Sequence, residues 1–381
     1  MKSEKKRILF IIPSLNDGGA EKVLIDILKR MDYEKYSIDL LLDYRTGSLV
    51  EDVPEKVNMF YIHKTFALYH RIRQKVMRTL KLNVAYHNWS LIPRMKRKIG
   101  NRRYDTIVSF LEGPALYFHS KLMGYGKKHV TWVHCDLMKN HWTVDACSYR
   151  GKMEERIYNM MDRIVFVSGD AKDALNRMYT IKKEQTVLYN PIDMEEINRK
   201  AGEKEVVKSK TTLCTVCRLV PVKNIGLLLK AVKRIKDDGL DAEVWIVGDG
   251  YMMKELKSQA ESMNLKDEVK FLGFMRNPYP YMKAADIYIS TSDSEGYPLT
   301  VCEAICLGKP VISTRTTGGT EILNDGEYGL MAGHDEESVY RCIKLLLENR
   351  EEMDRYAGLS ALRAKDINNA DNFMKEIESI V

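Results

Sequence analysis

Short apolar runs recur along the chain, and stretches with helical spacing lie between them. In the first half the runs fall at residues 8–12, 38–42, 107–110, 130–133 and 164–167. In the second half they fall at 213–216, 244–247, 269–272, 287–290 and 311–313. Brief, β-branched-rich and bounded by turn residues, they read as buried strands. Between them Val23, Leu24, Ile27, Leu28 and Met31 recur at the period of a helix over 20–31, and 227–235, 252–263 and 301–307 show the same spacing. Buried strands alternating with helices predict a parallel sheet covered on both faces, and two such series predict two doubly wound α/β domains. The expected division is a first domain over 1–192, a polar linker over 193–210 and a second domain over 211–364. A last helix over 365–381 would pack back on the first domain through Phe373, Met374, Ile377 and Ile380. Two domains meeting at the carboxyl ends of their strands would face each other across a cleft, where chemistry is expected.

Composition adds little to this except in its charge. A length of 381 residues suits two cores. Seven cysteines form no disulfide framework at this length. Cys214 and Cys217 lie in or beside a strand with no second pair near, so they read as buried thiols suited to a reducing cytoplasm. No apolar run reaches the ~18 residues of a membrane-spanning helix. The basic and then apolar N-terminus is closed early by Pro13 and Asn16, and reads as a first strand. The net charge of +7 is concentrated: residues 56–104 hold thirteen Lys and Arg and no Asp or Glu, and the rest of the chain is net negative. Apolar and aromatic residues are interleaved there, among them Phe66, Tyr69, Trp89, Leu91 and Ile92. A helix over 70–82 would put Ile72, Val76 and Leu80 on one face, flanked by Arg71, Lys75, Arg78 and Lys81. This is the pattern of a segment that docks on an anionic membrane surface; a solvated basic face over core residues is the competing reading.

Three motifs follow strands and open helices. Asn16-Asp17-Gly18-Gly19-Ala20-Glu21 allows close approach of a ligand to a helix start, although a plain turn would look the same. Arg218-Leu219-Val220-Pro221-Val222-Lys223-Asn224 puts two cations five residues apart, able to clamp a diphosphate or simply to be solvated on a loop. The most specific is Ser294-Glu295-Gly296-Tyr297-Pro298-Leu299-Thr300-Val301-Cys302-Glu303. It sets one carboxylate before a helix start, with backbone donors beside it, and a second carboxylate about a turn into the helix, suited to a ribose diol. Val247-Gly248-Asp249-Gly250 ends a strand and could approach phosphates. His134 ends another; a lone histidine is usually structural, but its place at a strand's carboxyl end favours a functional role.

Together with Asn190-Pro191-Ile192-Asp193, Gly318-Gly319-Thr320-Glu321-Ile322 and Asp325-Gly326…Gly329-Leu330, these motifs make the chain resemble the retaining glycosyltransferases of family 4, of GT-B fold and bacterial surface-polysaccharide type. The resemblance spans nearly the whole length. It implies a nucleoside-diphosphate sugar donor, weakly a UDP-sugar rather than GDP-mannose, and a lipid-linked or glycan acceptor at the inner face of the plasma membrane. It implies no divalent metal and no cofactor. Arg218 and Lys223 would neutralise the diphosphate, and Glu303 would hold the ribose. Glu295 with the N–H groups of Gly296, Tyr297, Pro298 and Leu299 would hold the sugar (Pro298 itself has no N–H). Gly18, Gly19 and Asp249 would lie by the donor, and His134 by the reacting sugar. One departure is Cys217, where the family usually has a glycine before the arginine.

Other classes fit less well. A dehydrogenase needs a G-x-G-x-x-G turn that neither Gly18-Gly19 nor Gly248-Asp249-Gly250 completes. A nucleic-acid binder would explain the basic segment but leave the motifs idle. A catalytically silent partner of a transferase complex would have lost motif residues that are all present here.

Overall fold

The computed structural model describes residues 4–16, 18–63, 85–147, 149 and 152–381. It divides into two compact units, residues 1–190 with 371–381, and residues 191–370. The helix proposed over 70–82 lies outside the described residues.

Unit 1 is built on a seven-stranded parallel sheet of β1 (Lys6–Ile12), β2 (Tyr36–Tyr44), β3 (Asn58–His63), β4 (Tyr104–Ser109), β5 (Gly126–Val133), β6 (Arg163–Phe166) and β7 (Glu184–Val187). Their spatial order is β3-β2-β1-β4-β5-β6-β7. The predicted strands are all present, most of them longer than the apolar core, with β6 displaced by one residue from the run at 164–167. The edge strands β3 and β7 were not predicted. Helix α1 (Gly19–Arg30) buries Val23, Leu24, Ile27 and Leu28, carries Glu21 in its first turn and ends on Lys29 and Arg30, charges that suit both ends of the helix dipole.

Helix α2 (Ala85–Ile99) corrects part of the reading of the basic segment. Leu91, Met95 and Ile99 recur four residues apart and are buried in the unit's core, so Leu91 is not free for lipid. Arg94, Lys96, Arg97 and Lys98 are exposed on the same helix. Unit 1 is completed by helix α15 (Ala370–Ile380), whose Phe373, Ile377 and Ile380 are buried. It is preceded by helix α14 (Arg350–Ile367), so the terminal helix begins later than expected. The Thr106 hydroxyl on β4 donates to the Val381 carbonyl at 3.4 Å, and Lys35 pairs with Glu378 at 3.6 Å.

Unit 2 carries a six-stranded parallel sheet of β8 (Thr211–Val216), β9 (Ala242–Val247), β10 (Val269–Gly273), β11 (Ile287–Ser290), β12 (Val311–Thr314) and β13 (Leu330–Ala332), in the order β10-β9-β8-β11-β12-β13. Alternate residues enter two cores. Leu213, Val244, Ile246, Ile289 and Ile312 pack in one, and Cys214, Trp245, Val247, Tyr288 and Val311 in the other. That is the signature of a sheet covered on both faces. The segment expected as a linker, 193–210, is part of this unit: Asp193 caps helix α7 (Met194–Ala201) by accepting from the Glu196 N–H at 2.9 Å, and Ile197 and Ala201 are buried in the second core. Glu195, Glu196, Arg199 and Lys200 lie on the outer side of this amphipathic helix, and the charges from Glu203 to Lys210 follow it in irregular chain.

Unit 1 also buries a chain of histidines. The Ser109 hydroxyl lies 2.8 Å from that of Thr131 and 3.0 Å from His119 Nδ1, and His119 Nε2 lies 3.0 Å from His129 Nδ1. With both rings neutral, one hydrogen per contact satisfies this row. Burial holds the affinity of His119 for a proton well below the ordinary 6.5, with the neighbouring His129 acting in the same direction, and it lowers His129 as well. Each imidazole takes up a proton near pH 6.5 on unfolding and does so less readily in the folded state. Each therefore removes stability as pH falls below 6.5, by up to about 1.4 kcal/mol per pH unit. Asp43, pushed up to about 7 by burial, opposes this with one proton. The expected result is net proton uptake on unfolding between pH 6.5 and 5, with the His119 ring resonances flat over that range by NMR. A His119 titration near pH 6.5 would contradict it.

Candidate active site

In each sheet the chain runs outward from its first strand on one side and then returns to the other. The loops after β1 and β4 thus diverge at the carboxyl edge of unit 1, and those after β8 and β11 do so in unit 2. Such divergence leaves a crevice at a strand end.

In unit 2 the two loops are stapled together. The β8 loop turns through Asn224, whose backbone is left-handed at φ 44°, into helix α8 (Ile225–Asp237). Asn224 Nδ2 donates to Asp293 Oδ1 at 2.8 Å, Asp293 N donates to the Val222 carbonyl at 2.8 Å, and the Thr291 hydroxyl donates to the Lys223 carbonyl at 3.2 Å. These bonds bring Lys223 Nζ into an ion pair with Glu295 Oε1, which also accepts from the Ser292 hydroxyl at 2.6 Å. Two of the predicted site residues, 72 positions apart, are therefore partners. Arg218 is exposed at the start of the same loop, and no described residue hydrogen-bonds its guanidinium.

After Glu295, Gly296 is buried and Tyr297 partly so, and Pro298 opens helix α11 (Leu299–Cys306) without a capping side chain. The first backbone donors of α11 thus lack a side-chain acceptor, at the positive end of the helix. Gly318 N donates to the Glu295 carbonyl at 3.0 Å, and a Cβ on Gly318 would come within 2.3 Å of the Gly296 carbonyl oxygen. The β12 loop can lie this close only because residue 318 is glycine. Gly248, at φ 135°, lies against the Cys217 carbonyl in the same manner, so a side chain at 217 is compatible with the turn. Asp249 is exposed and accepts from Gly250 N at 2.7 Å. Glu303 is buried on α11 and accepts at 2.9 Å from the hydroxyl of Tyr279, on helix α10 (Tyr279–Ala284).

In unit 1, Gly18 is the N-terminal cap of α1, with the Glu21 carboxylate folded over it, and Gly19 is exposed. Asp17 lies outside the described residues. His134 directly follows β5. Burial lowers its affinity for a proton to about 3, against a hydrogen bond to the Phe110 backbone, so the ring is neutral. Its Nε2 is shielded from solvent and has no partner among the described residues.

Sequence reasoning missed Asp293, Ser292 and Tyr279, which orient the predicted residues, and Glu112, a buried acid after β4. Ser292 and Glu295 stand three positions apart, a spacing that could have suggested their bond. Nothing local pointed to the others. Among the described residues no group of three or more His, Cys, Asp and Glu is placed to hold a metal ion.

An unpaired guanidinium, a lysine held by a carboxylate and an uncapped helix start, all at one strand edge, suit a ligand that carries phosphates at one end and hydroxyls at the other. The same fold appears in solved glycosyltransferases. A crystal structure of Anabaena HepE in complex with UDP superimposes with a TM-score of 0.72 at 19% identity, covering 98% of each chain. WaaG, a glycosyltransferase involved in lipopolysaccharide biosynthesis, does so with a TM-score of 0.72 at 13% identity, covering 97% of this chain and 99% of its own. These likenesses define the GT-B class of fold. The family model described as Glycosyltransferase Family 4 matches residues 17–196, and that described as Glycosyl transferases group 1 matches residues 196–359. The chain belongs to glycosyltransferase family 4. Across 94% of its length it is 27% identical to 95% of a Campylobacter jejuni protein, the N-acetylgalactosamine-N,N'-diacetylbacillosaminyl-diphospho-undecaprenol 4-alpha-N-acetylgalactosaminyltransferase.

If Glu303 holds the donor's ribose, Glu303→Ala should weaken donor binding by about tenfold or more, the scale of one lost charge-assisted hydrogen bond. Tyr279→Phe, which removes only the orienting hydroxyl, should weaken it less. Calorimetry with the nucleoside diphosphate, alongside the unfolding midpoint, checks this. Unchanged affinity in a folded Glu303→Ala protein would remove the assignment.

Proposed function

We propose that this glycosyltransferase of polysaccharide biosynthesis takes a hexose or N-acetylhexosamine from a UDP-sugar and passes it, with retention at the anomeric carbon, to a lipid-linked or glycan acceptor. The observation that carries the reading is the Lys223–Glu295 pair beside the unpaired Arg218 and the open start of α11. In the proposed reaction the bond between the anomeric carbon and the β-phosphate oxygen breaks, and its electron pair stays on the phosphate. Arg218 and Lys223 stabilise that charge, so the step needs no metal ion. The acceptor hydroxyl attacks the same face of the sugar and gives its proton to the departing phosphate. Glu295, held by Lys223 and Ser292, accepts from hydroxyls of the sugar, and Glu303 from those of the ribose. The roles of Asp249, Gly296, Tyr297, Pro298 and Leu299 toward the donor, and of Gly18, Gly19 and His134 in unit 1, belong to the same proposal. UDP in the HepE crystal structure and the diphospho-undecaprenol acceptor named for the Campylobacter relative support the donor and acceptor classes.

Hydrolysis of a panel of nucleotide sugars in excess EDTA tests this. A UDP-sugar should turn over, and Arg218→Ala and Lys223→Ala should each lower the rate by about 10²–10³. Turnover of GDP-mannose alone would overturn the donor. Dependence on added Mg²⁺ or Mn²⁺ would overturn the metal-free clamp, and full activity in either variant would overturn the roles of the cations.

The same proposal places the enzyme on an anionic leaflet through the exposed cations of α2. No helix among the described residues is long and apolar enough to cross a membrane. Arg94, Lys96, Arg97 and Lys98 project from a helix anchored by Leu91, Met95 and Ile99, and each such cation contributes roughly 1 kcal/mol near anionic lipid. The protein should float with anionic vesicles, less so as salt rises and less with all four changed to Glu. Equal recovery with neutral vesicles, or none with either, would refute it.

A further inference from the structure

Outside the donor side, the most constrained group of unit 1 is the carboxylate of Glu112. It is buried, 2% exposed, in the turn between β4 and helix α3 (Pro114–His119). Gly113 beside it has φ 72°, and a Cβ there would come within 2.9 Å of the Trp142 ring. The β4 loop is thus pressed against the loop that follows β5.

Three donors from that second loop converge on Glu112. His134 N donates to Oε2 at 2.9 Å, Cys135 Sγ to Oε1 at 3.0 Å, and Trp142 Nε1 to Oε1 at 3.2 Å. The first two lie where the loop leaves β5. The third lies where it enters helix α4 (Trp142–Cys147). One carboxylate therefore ties both ends of a loop of eight or nine residues. Inside it, Asp136 Oδ1 accepts from Met138 N at 2.9 Å and Lys139 N at 3.2 Å, which closes the turn without further help.

The donor set also fixes the form of the acid. Two of the three groups can only donate and the thiol sulfur is a weak acceptor, so a protonated Glu112 would leave its own O–H poorly paired among them. The ionised form accepts all three. Burial raises the carboxyl's proton affinity overall, and the bonds from Cys135, His134 and Trp142 offset only part of that rise. No cation is needed for the arrangement, which is made of neutral dipoles directed at one charge. Its effect at His134 is specific. The backbone N–H of His134 is held by Glu112, the ring packs on Phe110 at 5.1 Å between centroids, and Nε2 is left buried without a partner. A neutral imidazole nitrogen kept out of water and unpaired is costly unless something completes it.

We infer that Glu112 is a positioning residue for the transfer reaction, holding the His134–Trp142 loop and with it the place of the His134 side chain at the end of β5. This rests on the reading of His134 as a residue of the reaction. Glu112 acts only through that loop. Replacing it by Gln keeps the size but puts an NH₂ against donors on one side, so one end of the loop is released.

The test is a double-mutant cycle on UDP-sugar hydrolysis with E112Q, H134A and the pair, together with the emission of Trp142 isolated by subtracting the Trp142→Phe variant. E112Q should lower kcat by about ten- to a hundredfold, the scale of a misplacement near 1 Å, with donor KM within about twofold. It should shift Trp142 emission, and in the H134A background it should cost less than about threefold. Should E112Q not fold, Glu112→Asp, which keeps the charge but cannot span both ends, carries the same expectations. Full activity in E112Q while H134A is impaired would overturn the positioning role and leave the reading of His134 standing, as would an equal loss in both backgrounds. Full activity in H134A would overturn the reading of His134 and the positioning role with it. Absence of hydrolysis of any nucleotide sugar by the unaltered protein would overturn the donor reading on which both depend.

Discussion

In a parallel sheet every strand ends on the same edge, and a chain that starts in the middle must leave in two directions. Both units obey this constraint, with β1 beside β4 in one and β8 beside β11 in the other. The first and fourth strands of each unit thus end next to each other while their loops turn apart. Gly18, Glu112, Arg218, Lys223 and Glu295 lie on those loops, and His134 on the loop after β5. Lys223 and Glu295 meet because β8 and β11 are neighbours, and Glu112 reaches His134 because β4 and β5 are. The sheet order converts residues far apart in the chain into pairs a few ångströms apart.

The two edges are held in different ways. In unit 2 the pairing is ionic and partly open to water: Lys223 and Glu295 balance each other, and Asn224, Asp293 and Thr291 fasten the loops beneath them. In unit 1 the fastening is a single buried anion with three neutral donors. An ion pair that is partly open to water can rearrange when a charged ligand arrives, because the ligand's own charge can replace one of the partners. A buried carboxylate surrounded by dipoles cannot, because each donor it releases is left unsatisfied. The first arrangement suits residues that exchange partners during a reaction, and the second suits a fixed support.

How much of this was legible in the sequence follows from where each residue lies. Nine of the ten apolar runs lie in central parallel strands, which are buried on both faces, and the tenth is the edge strand β10. The strands that were missed, β3, β7 and β13, lie at sheet edges and are short or half-exposed, as with Glu184 to Val187, so their apolar signal is weak. The motif residues could be named one by one, because glycine before a helix and carboxylates eight positions apart are local patterns. Their partners could not be. The bond from Tyr279 to Glu303 spans 24 positions and that from Asn224 to Asp293 spans 69. Glu112, in Leu111-Glu112-Gly113-Pro114, looks like an ordinary surface turn. Only the fold reveals that it is buried. The 193–210 segment misled for the opposite reason: its first charges belong to an amphipathic helix, Met194–Ala201, that buries only Ile197 and Ala201.

The return of residues 371–381 to unit 1 bears on how the protein is made. Phe373, Ile377 and Ile380 fill the first unit's core, yet they are synthesised after the whole of unit 2. A ribosome emits the chain from its N-terminus, and a domain whose segments are contiguous can close as soon as it has emerged. Unit 2 is contiguous and unit 1 is not. The unit that begins first therefore finishes last: while the second sheet folds, the first waits with an apolar groove unfilled beside β4, where the Val381 carbonyl will be received by Thr106.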